Sequence, residues 1–278
     1  MPIFDTPEPI SVILEFDIGS ARIVAGDRTD TVVEVLPTDG ANDDDVRAAQ
    51  QTKVTCSGGT LLVKGPRKRS LFGMSGSLDI SVEVPAGSDV RGTAALADFV
   101  CDGRLGDCRI KTAVGDIQVD QAKTAHLKTD HGEVRVDRVA GDAEIAGVGR
   151  IDVGGIGGRA TLKNSNGETT VGEVAGELEA TSSNGRVNVG VARAGVEVRA
   201  ASGGIRVGEV ARGRVMLQTA LGDVEVGIRE STAAWLDVNT RIGRVRNSLG
   251  PSEGPEASDE TVEIRARTGL GDIVIRRS

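Results

Sequence analysis

The stretch GEVRVDRVAGDAEI, running from Gly132 to Ile145, decides the fold. After its first glycine, Val134 and Val136 alternate with Glu133, Arg135 and Asp137. That two-residue period is the mark of a strand with one apolar face. Val139 then sits among bend residues, and the pair Gly141–Asp142 opens a second alternating run, Ala143-Glu144-Ile145. The gap between the two runs is too short for a helical crossover between neighbouring parallel strands.

The same unit recurs in both directions along the chain. GDIQV begins at Gly115, GRIDV at Gly149, GETTV at Gly167, GRVNV at Gly185, GGIRV at Gly203 and GDVEV at Gly222; a weaker GRVRN begins at Gly243 and a late GDIVI at Gly271. Successive first glycines, from Gly115 to Gly222, are separated by 17, 17, 18, 18, 18 and 19 residues, and the last two intervals are 21 and 28. A copy with alanine in the glycine slot, ADFVC, starts 18 residues before Gly115 at Ala97. The second run also repeats, as GDCRI from Gly106, GRATL from Gly158, GELEA from Gly176 and GRVML from Gly213. Antiparallel hairpins need no constant register. A coil in which each period forms one rung, about 4.8 Å above the last, requires it.

The expected fold is therefore all-β: a parallel β-solenoid of about 18 residues per rung with two main strands per rung. It occupies residues 91–278, with a loop insertion at 248–260. Residues 1–90 lack the register and read as a β-rich N-terminal capping segment containing one short helix, DDDVRAAQQ (43–51), with aspartate caps. The final strands, ending Ile-Arg-Arg-Ser, read as an edge whose arginines discourage further pairing. Inward positions are Ile117/Val119, Val134/Val136, Ile151/Val153 and Val187/Val189 on the first strand. On the second strand they are Cys108/Ile110, Ala125/Leu127, Ala143/Ile145 and Ala160/Leu162, with Val139, Ile156 and Val210 at bends. Three residues before the glycine stand Thr112, Thr129, Asn164, Ser182, Thr219, Thr240 and Thr268, placed to bond along the stack and to bend backbone. The corner glycines supply positive φ. Outward, Glu133, Arg150, Glu168 and Arg186 alternate in sign, and Arg135 stands above Asp152, as a charge ladder would.

On these residues a resemblance can be stated. The strand pair in ISVILEFDIGSARIVAG (10–26), the VPAG at 84–87, and the copies TAVGDIQV (112–119) and TALGDVEV (219–226) resemble the bacterial "putative adhesin", toastrack-like family of β-strand-repeat proteins, a domain of unknown function. The resemblance covers nearly the whole chain. It implies a right-handed β-solenoid and, in some members, a link to envelope stress. It brings no catalytic residues.

Composition narrows the function. The net charge of −8 argues against nucleic acid. The opening residues lack a basic segment followed by an apolar run, and no run of about 18 apolar residues exists. A cytoplasmic location is the expectation. The chain has no P-loop, G-x-S-x-G, H-E-x-x-H or C-x-x-C motif, so no catalytic residue, cofactor or metal is assigned.

Three local groups bear on alternatives. Cys101 occupies the slot of Val119 and Cys108 that of Ala125, so both read as small buried hydrophobes on opposing faces of one rung. A disulfide between them is not expected, and a zinc site with His126 and His131 would need outward cysteines. Asp116 and Glu133 share one outward column and are the paired carboxylates that a carbohydrate-active lyase or hydrolase would use. Such a cleft normally offers aromatic surfaces, yet Phe99 falls in a core slot and Trp235 comes late. In KGPRKRSLFGMSG (64–76), Arg67, Lys68 and Arg69 precede Leu71, Phe72 and Met74. These six residues are the candidate contact for a protein partner or an anionic membrane surface. The reading is a non-enzymatic binding or scaffold protein whose partner is another protein, including further copies of itself. The alternatives are the carbohydrate-active enzyme and a membrane-surface sensing module.

Overall fold

The computed structural model describes residues 2–66, 76–250 and 260–278. The candidate contact residues Arg67, Lys68, Arg69, Leu71, Phe72 and Met74 lie outside the described residues. The chain is an all-β solenoid with one helix among its described residues, and it divides into two compact units, one ending at Arg138 and one beginning at Val139.

In the first unit, strand Ile18–Gly26 lies between Ser77–Pro85 and Leu96–Val114, parallel to both. Strand Ser11–Glu15 is likewise parallel to Thr60–Lys64 and to Asp89–Thr93. Among the described residues of this unit, antiparallel pairing joins Asp30–Pro37 to Ile3–Asp5 and to Ser77–Pro85, and Lys53–Ser57 to Thr60–Lys64. The long strands Leu96–Val114 and Ile117–His131 run parallel with Val119 on Cys101 and Ala125 on Cys108, the slot assignments read from the repeat. Among the described residues, aromatic packing consists of one tilted pair, Phe16 and Phe99, with ring centroids 5.7 Å apart. Aliphatic side chains supply the rest of the interior, each worth about 1.5–3 kcal/mol when fully buried.

The helix Asp43–Gln51 falls where expected, but its cap differs. Asn42, not an aspartate, is the N-cap, accepting from the Asp44 N–H at 2.9 Å. Asp45 is buried instead and accepts from the backbone N–H of Ser77 at 2.8 Å and of Asp39 at 3.1 Å. The acidic first turn still complements the positive end of the helix dipole.

In the second unit two rows of parallel strands build the stack. One row runs Ala143–Gly147, Ala160–Asn166, Leu178–Asn184, Val196–Ser202 and Gly213–Leu221. The other runs Ile151–Ile156, Thr169–Val174, Val187–Ala192, Ile205–Val210 and Val224–Ile228. Equivalent residues align as interior columns: Val153 faces Val171, which faces Val189, which faces Val207, and all four are buried. Every inward residue named from the repeat is buried.

The polar column forms as expected. Asn164 Nδ2 donates to the Gly149 carbonyl at 2.8 Å, and Thr219 Oγ1 to that of Gly203 at 2.9 Å; in the first unit Thr129 Oγ1 does the same to Gly115. These buried side chains satisfy corner carbonyls that no strand pairs. The corners also explain the glycines. Gly185 has φ of 135°, and a Cβ there would stand 1.9 Å from the Gly167 carbonyl oxygen one rung below. Backbone conformation and close approach both exclude a side chain.

The last rungs depart from chain order. Strand Glu260–Leu270 pairs with Gly213–Leu221 on one side and with Thr232–Ile242 on the other. Ile273–Arg277 likewise lies between Val224–Ile228 and Val245–Asn247. The final repeat is therefore inserted beneath the one that precedes it. The edge expected at Ile-Arg-Arg-Ser is interior, and the outer rung is formed by residues 232–247. This accounts for the intervals of 21 and 28: Gly271, not Gly243, stacks on Gly222, with a built Cβ 2.2 Å from its carbonyl oxygen.

The expected charge ladder is replaced by other contacts. Among the described residues no ion pair joins Arg150, Glu168 and Arg186; Glu168 Oε1 instead accepts from Asn188 Nδ2 at 2.6 Å. Arg135 lies 3.7 Å from Asp137 on its own strand. Rung-to-rung pairs occur at other slots, joining Arg159 to Glu177, Arg193 to Glu173 and Arg229 to Glu209.

Candidate functional site

The recurrent aspartate after a glycine turns out to be a backbone cap. Asp98 Oδ1 accepts from the Asp116 N–H at 2.8 Å, and Asp116 Oδ1 in turn accepts from the Glu133 N–H at 2.7 Å. In the second unit Asp142 holds the N–H of Arg159 at 2.8 Å, and Asp223 holds that of Asp272 at 2.7 Å. Each carboxylate satisfies a corner amide on the adjoining rung, a charge-assisted bond stronger than a neutral one. Asp116 is thus engaged with the main chain of Glu133 on the adjoining rung.

The cysteine slots behave as read, with one addition. Cys101 and Cys108 are buried. The neighbouring Cys108 thiol, followed by burial, pushes the Cys101 thiol well above its ordinary range. All three cysteines are free, and His126 and His131 are exposed on the outer surface, away from the inward thiols. Among the described residues no cluster of metal-ligating side chains forms, and no helix is long and apolar enough to cross a membrane.

A site that the repeat did not announce lies on the outer face of the second unit. It is a groove of about 1470 Å³ that crosses the rungs from Arg159 and Glu177 to Trp235. Its floor is low at Gly195 and Gly213, where no side chain stands in the row, and Met216, Ala233 and Ala234 make it partly apolar. Register places the far wall: Arg214 pairs with Glu263, and Glu263 with Trp235 on the outer rung. Trp235 is 56% exposed, although tryptophan is usually well buried, and the Arg265 guanidinium carbon lies 5.8 Å from its ring centroid.

The carboxylates of that wall are held in ion pairs. Glu263 accepts from Arg214 Nε at 3.0 Å, and its other oxygen lies 2.8 Å from Arg265 Nη2. The Arg214 hydrogen bond is the main cause that holds the Glu263 carboxyl below the ordinary glutamate value, with the charges of Arg214 and Arg265 adding to it. Arg159 and Glu177 pair at the opposite end. Chemically the groove offers an aromatic ring, a small apolar floor and a fixed Arg/Glu rim.

The model of the Toastrack DUF4097 family matches residues 22–276. The chain belongs to the Toastrack DUF4097 family. Among solved structures, this Toastrack chain is similar to a "putative adhesin" from Parabacteroides merdae, with 14% identity, a TM-score of 0.44, and 81% of this chain and 94% of that chain covered. It is also similar to a "putative lipid binding protein" from Parabacteroides distasonis, with 14% identity, a TM-score of 0.42, and coverage of 100% and 95%. A third, a "putative cell adhesion protein" from Clostridium sporogenes, has 13% identity, a TM-score of 0.26, and coverage of 100% and 98%. No curated protein matches the chain in sequence. The Toastrack assignment carries the β-solenoid architecture, and it agrees with the stacked columns of both units.

Proposed function

We propose that this Toastrack chain is a non-enzymatic binding scaffold whose groove beside Trp235 takes up a protein partner. The observation that supports it is the state of the groove's charged groups. A general acid needs a carboxyl held above its ordinary range, poised to give up a proton. Glu263 is held in the opposite direction by Arg214 and Arg265. A fixed rim around an exposed tryptophan and an apolar floor is instead the make-up of a binding hot spot. Adhesin and lipid-binding designations belong to the structural neighbours themselves.

One observation favours a second reading. An aromatic ring beside carboxylates, here Trp235 with Glu260 and Glu263, is also what a glycan site presents. The chain contains a single tryptophan and no tyrosine, so its ultraviolet emission reports on the groove alone. A protein captured from bacterial extract is purified and titrated against the chain. The emission is expected to shift on binding, and Trp235→Ala is expected to lose most of the affinity. Binding indifferent to both Trp235→Ala and Arg265→Ala would remove the groove from this role. Turnover of a polysaccharide, abolished by Glu263→Gln, would replace the scaffold with the enzyme. A membrane-surface role through Arg67, Lys68 and Arg69 is tested separately, by co-sedimentation with phosphatidylserine vesicles before and after those three are neutralised.

A further inference from the structure

The outer rung leaves one strand edge open. Thr232–Ile242 is paired on its inner side with Glu260–Leu270, and among the described residues no strand lies against its other side. Hydrogen bonding fixes which residues face which way. The Ile242 carbonyl accepts from the Gly271 N–H at 2.9 Å, on the stack side. Along a strand, the N–H and C=O of one residue turn to the same side and alternate from residue to residue. The ladder skips Arg241 and the alternation shifts there, as it does between the stack-side carbonyls of Gly195 and Ser202 on an inner rung, so the main-chain groups of Ala234, Leu236, Val238 and Thr240 point away from the stack. The strand has eleven residues and no proline, with Trp235 56% and Ile242 61% exposed. A long edge of this kind is a template for pairing with another chain.

We infer that this edge pairs antiparallel with the same edge of a second copy of the chain, about a two-fold axis through Val238. Charge selects the register. An axis through Asp237 sets that carboxylate against itself, and an axis through Leu236 sets Trp235 against Asp237. An axis through Val238 places the Trp235 ring opposite Arg241 of the second copy and Asp237 opposite its Asn239. About that axis Val238 opposite itself and Leu236 opposite Thr240 are the pairs whose main-chain groups point outward, so each exchanges two main-chain hydrogen bonds. Val238 then meets Val238 and Leu236 meets Thr240 on the inner face, which continues the interior columns across the axis. Asp237 Oδ2 already takes Arg267 Nη2 at 2.7 Å, and its Oδ1 accepts the Asn239 amide of the second copy. Such an interface is isologous, the commonest kind in homodimers. It stands on main-chain geometry and not on what the groove binds.

The test is sedimentation equilibrium of the full chain over a wide concentration range. The expected result is a reversible dimer. Val238→Pro removes an outward N–H that the monomer does not use, on an edge where proline is tolerated, and is expected to abolish dimerisation. Two exposed substitutions at the neighbouring Asn239 guard against a folding defect. Asn239→Lys faces Asp237 with a cation and is expected to tighten the dimer, whereas Asn239→Asp is expected to loosen it, each by about fivefold over two symmetric contacts. A single monomeric mass at every concentration overturns the proposal. So does a dimer indifferent to Val238→Pro, or one on which the two charge variants act in the same direction.

Discussion

Thr268 Oγ1 donates to the Gly222 carbonyl at 2.8 Å across 46 residues of sequence, while Thr240 Oγ1 donates to Gly271 at the same distance. The two bonds record the inverted order of the last rungs. Thr268 is 5% exposed, so removing its hydroxyl leaves a corner carbonyl buried without a partner. Thr268→Val, nearly equal in volume, is expected to cost about 1–3 kcal/mol in urea unfolding. Thr261→Val, at an exposed position one strand turn away, is the control and should stay within about 0.5 kcal/mol of wild type.

Two glycines separate the structural requirement from mere composition. Gly185→Ala places a methyl 1.9 Å from the Gly167 oxygen at φ of 135°, and it is expected to destabilise by about 3 kcal/mol or more. Gly155 has nothing within 4 Å of a built Cβ and no positive φ, so Gly155→Ala should be neutral to within about 0.5 kcal/mol. Equal effects from the two, read from denaturant midpoints, would contradict the stacked-corner geometry.

Glu263 gives a pH dependence of definite sign. Arg214 and Arg265 lower its folded value below the ordinary 4.5, so the unfolded chain takes up that proton first as pH falls. The stability it contributes is present above 4.5 and is lost as pH drops through the folded value. Comparing the wild type with Glu263→Gln across an acid series, the difference in unfolding midpoint should be greatest near neutrality and vanish in acid.

The thiols make a prediction at the other end of the scale. Cys56 is half-buried, whereas Cys101 and Cys108 are buried. Native protein treated with a thiol reagent should label rapidly at Cys56, and at the other two only on unfolding. Because the folded Cys101 keeps its proton above the ordinary thiol value of 9.0, stability should decline as pH rises past that value.

Rung spacing, inward residues and the polar column were legible because each is a local consequence of alternation. Val153 must point inward once Gly149 is a corner, whatever lies above it. The order of the last rungs was not legible in this way. Gly243 and Gly271 carry the same corner motif, and either could follow Gly222 locally; packing of whole rungs decides. The interval of 28 was the available sign. Asp116 was misread because an aspartate that caps an amide one rung away looks, in sequence, like any outward charge. Trp235 was set aside as coming late for a related reason: its outward slot matters only because Glu263, not the preceding repeat, stands beside it.

The inverted order also bears on how the chain is made. Residues 232–247 leave the ribosome before residues 260–277, yet the later segment is the one that lies against residues 213–228. The earlier segment is held apart from its own predecessor, or displaced from it, until that wedge arrives. Completion of the stack waits for the later segment, and its rate should depend on how readily the outermost coil lets go.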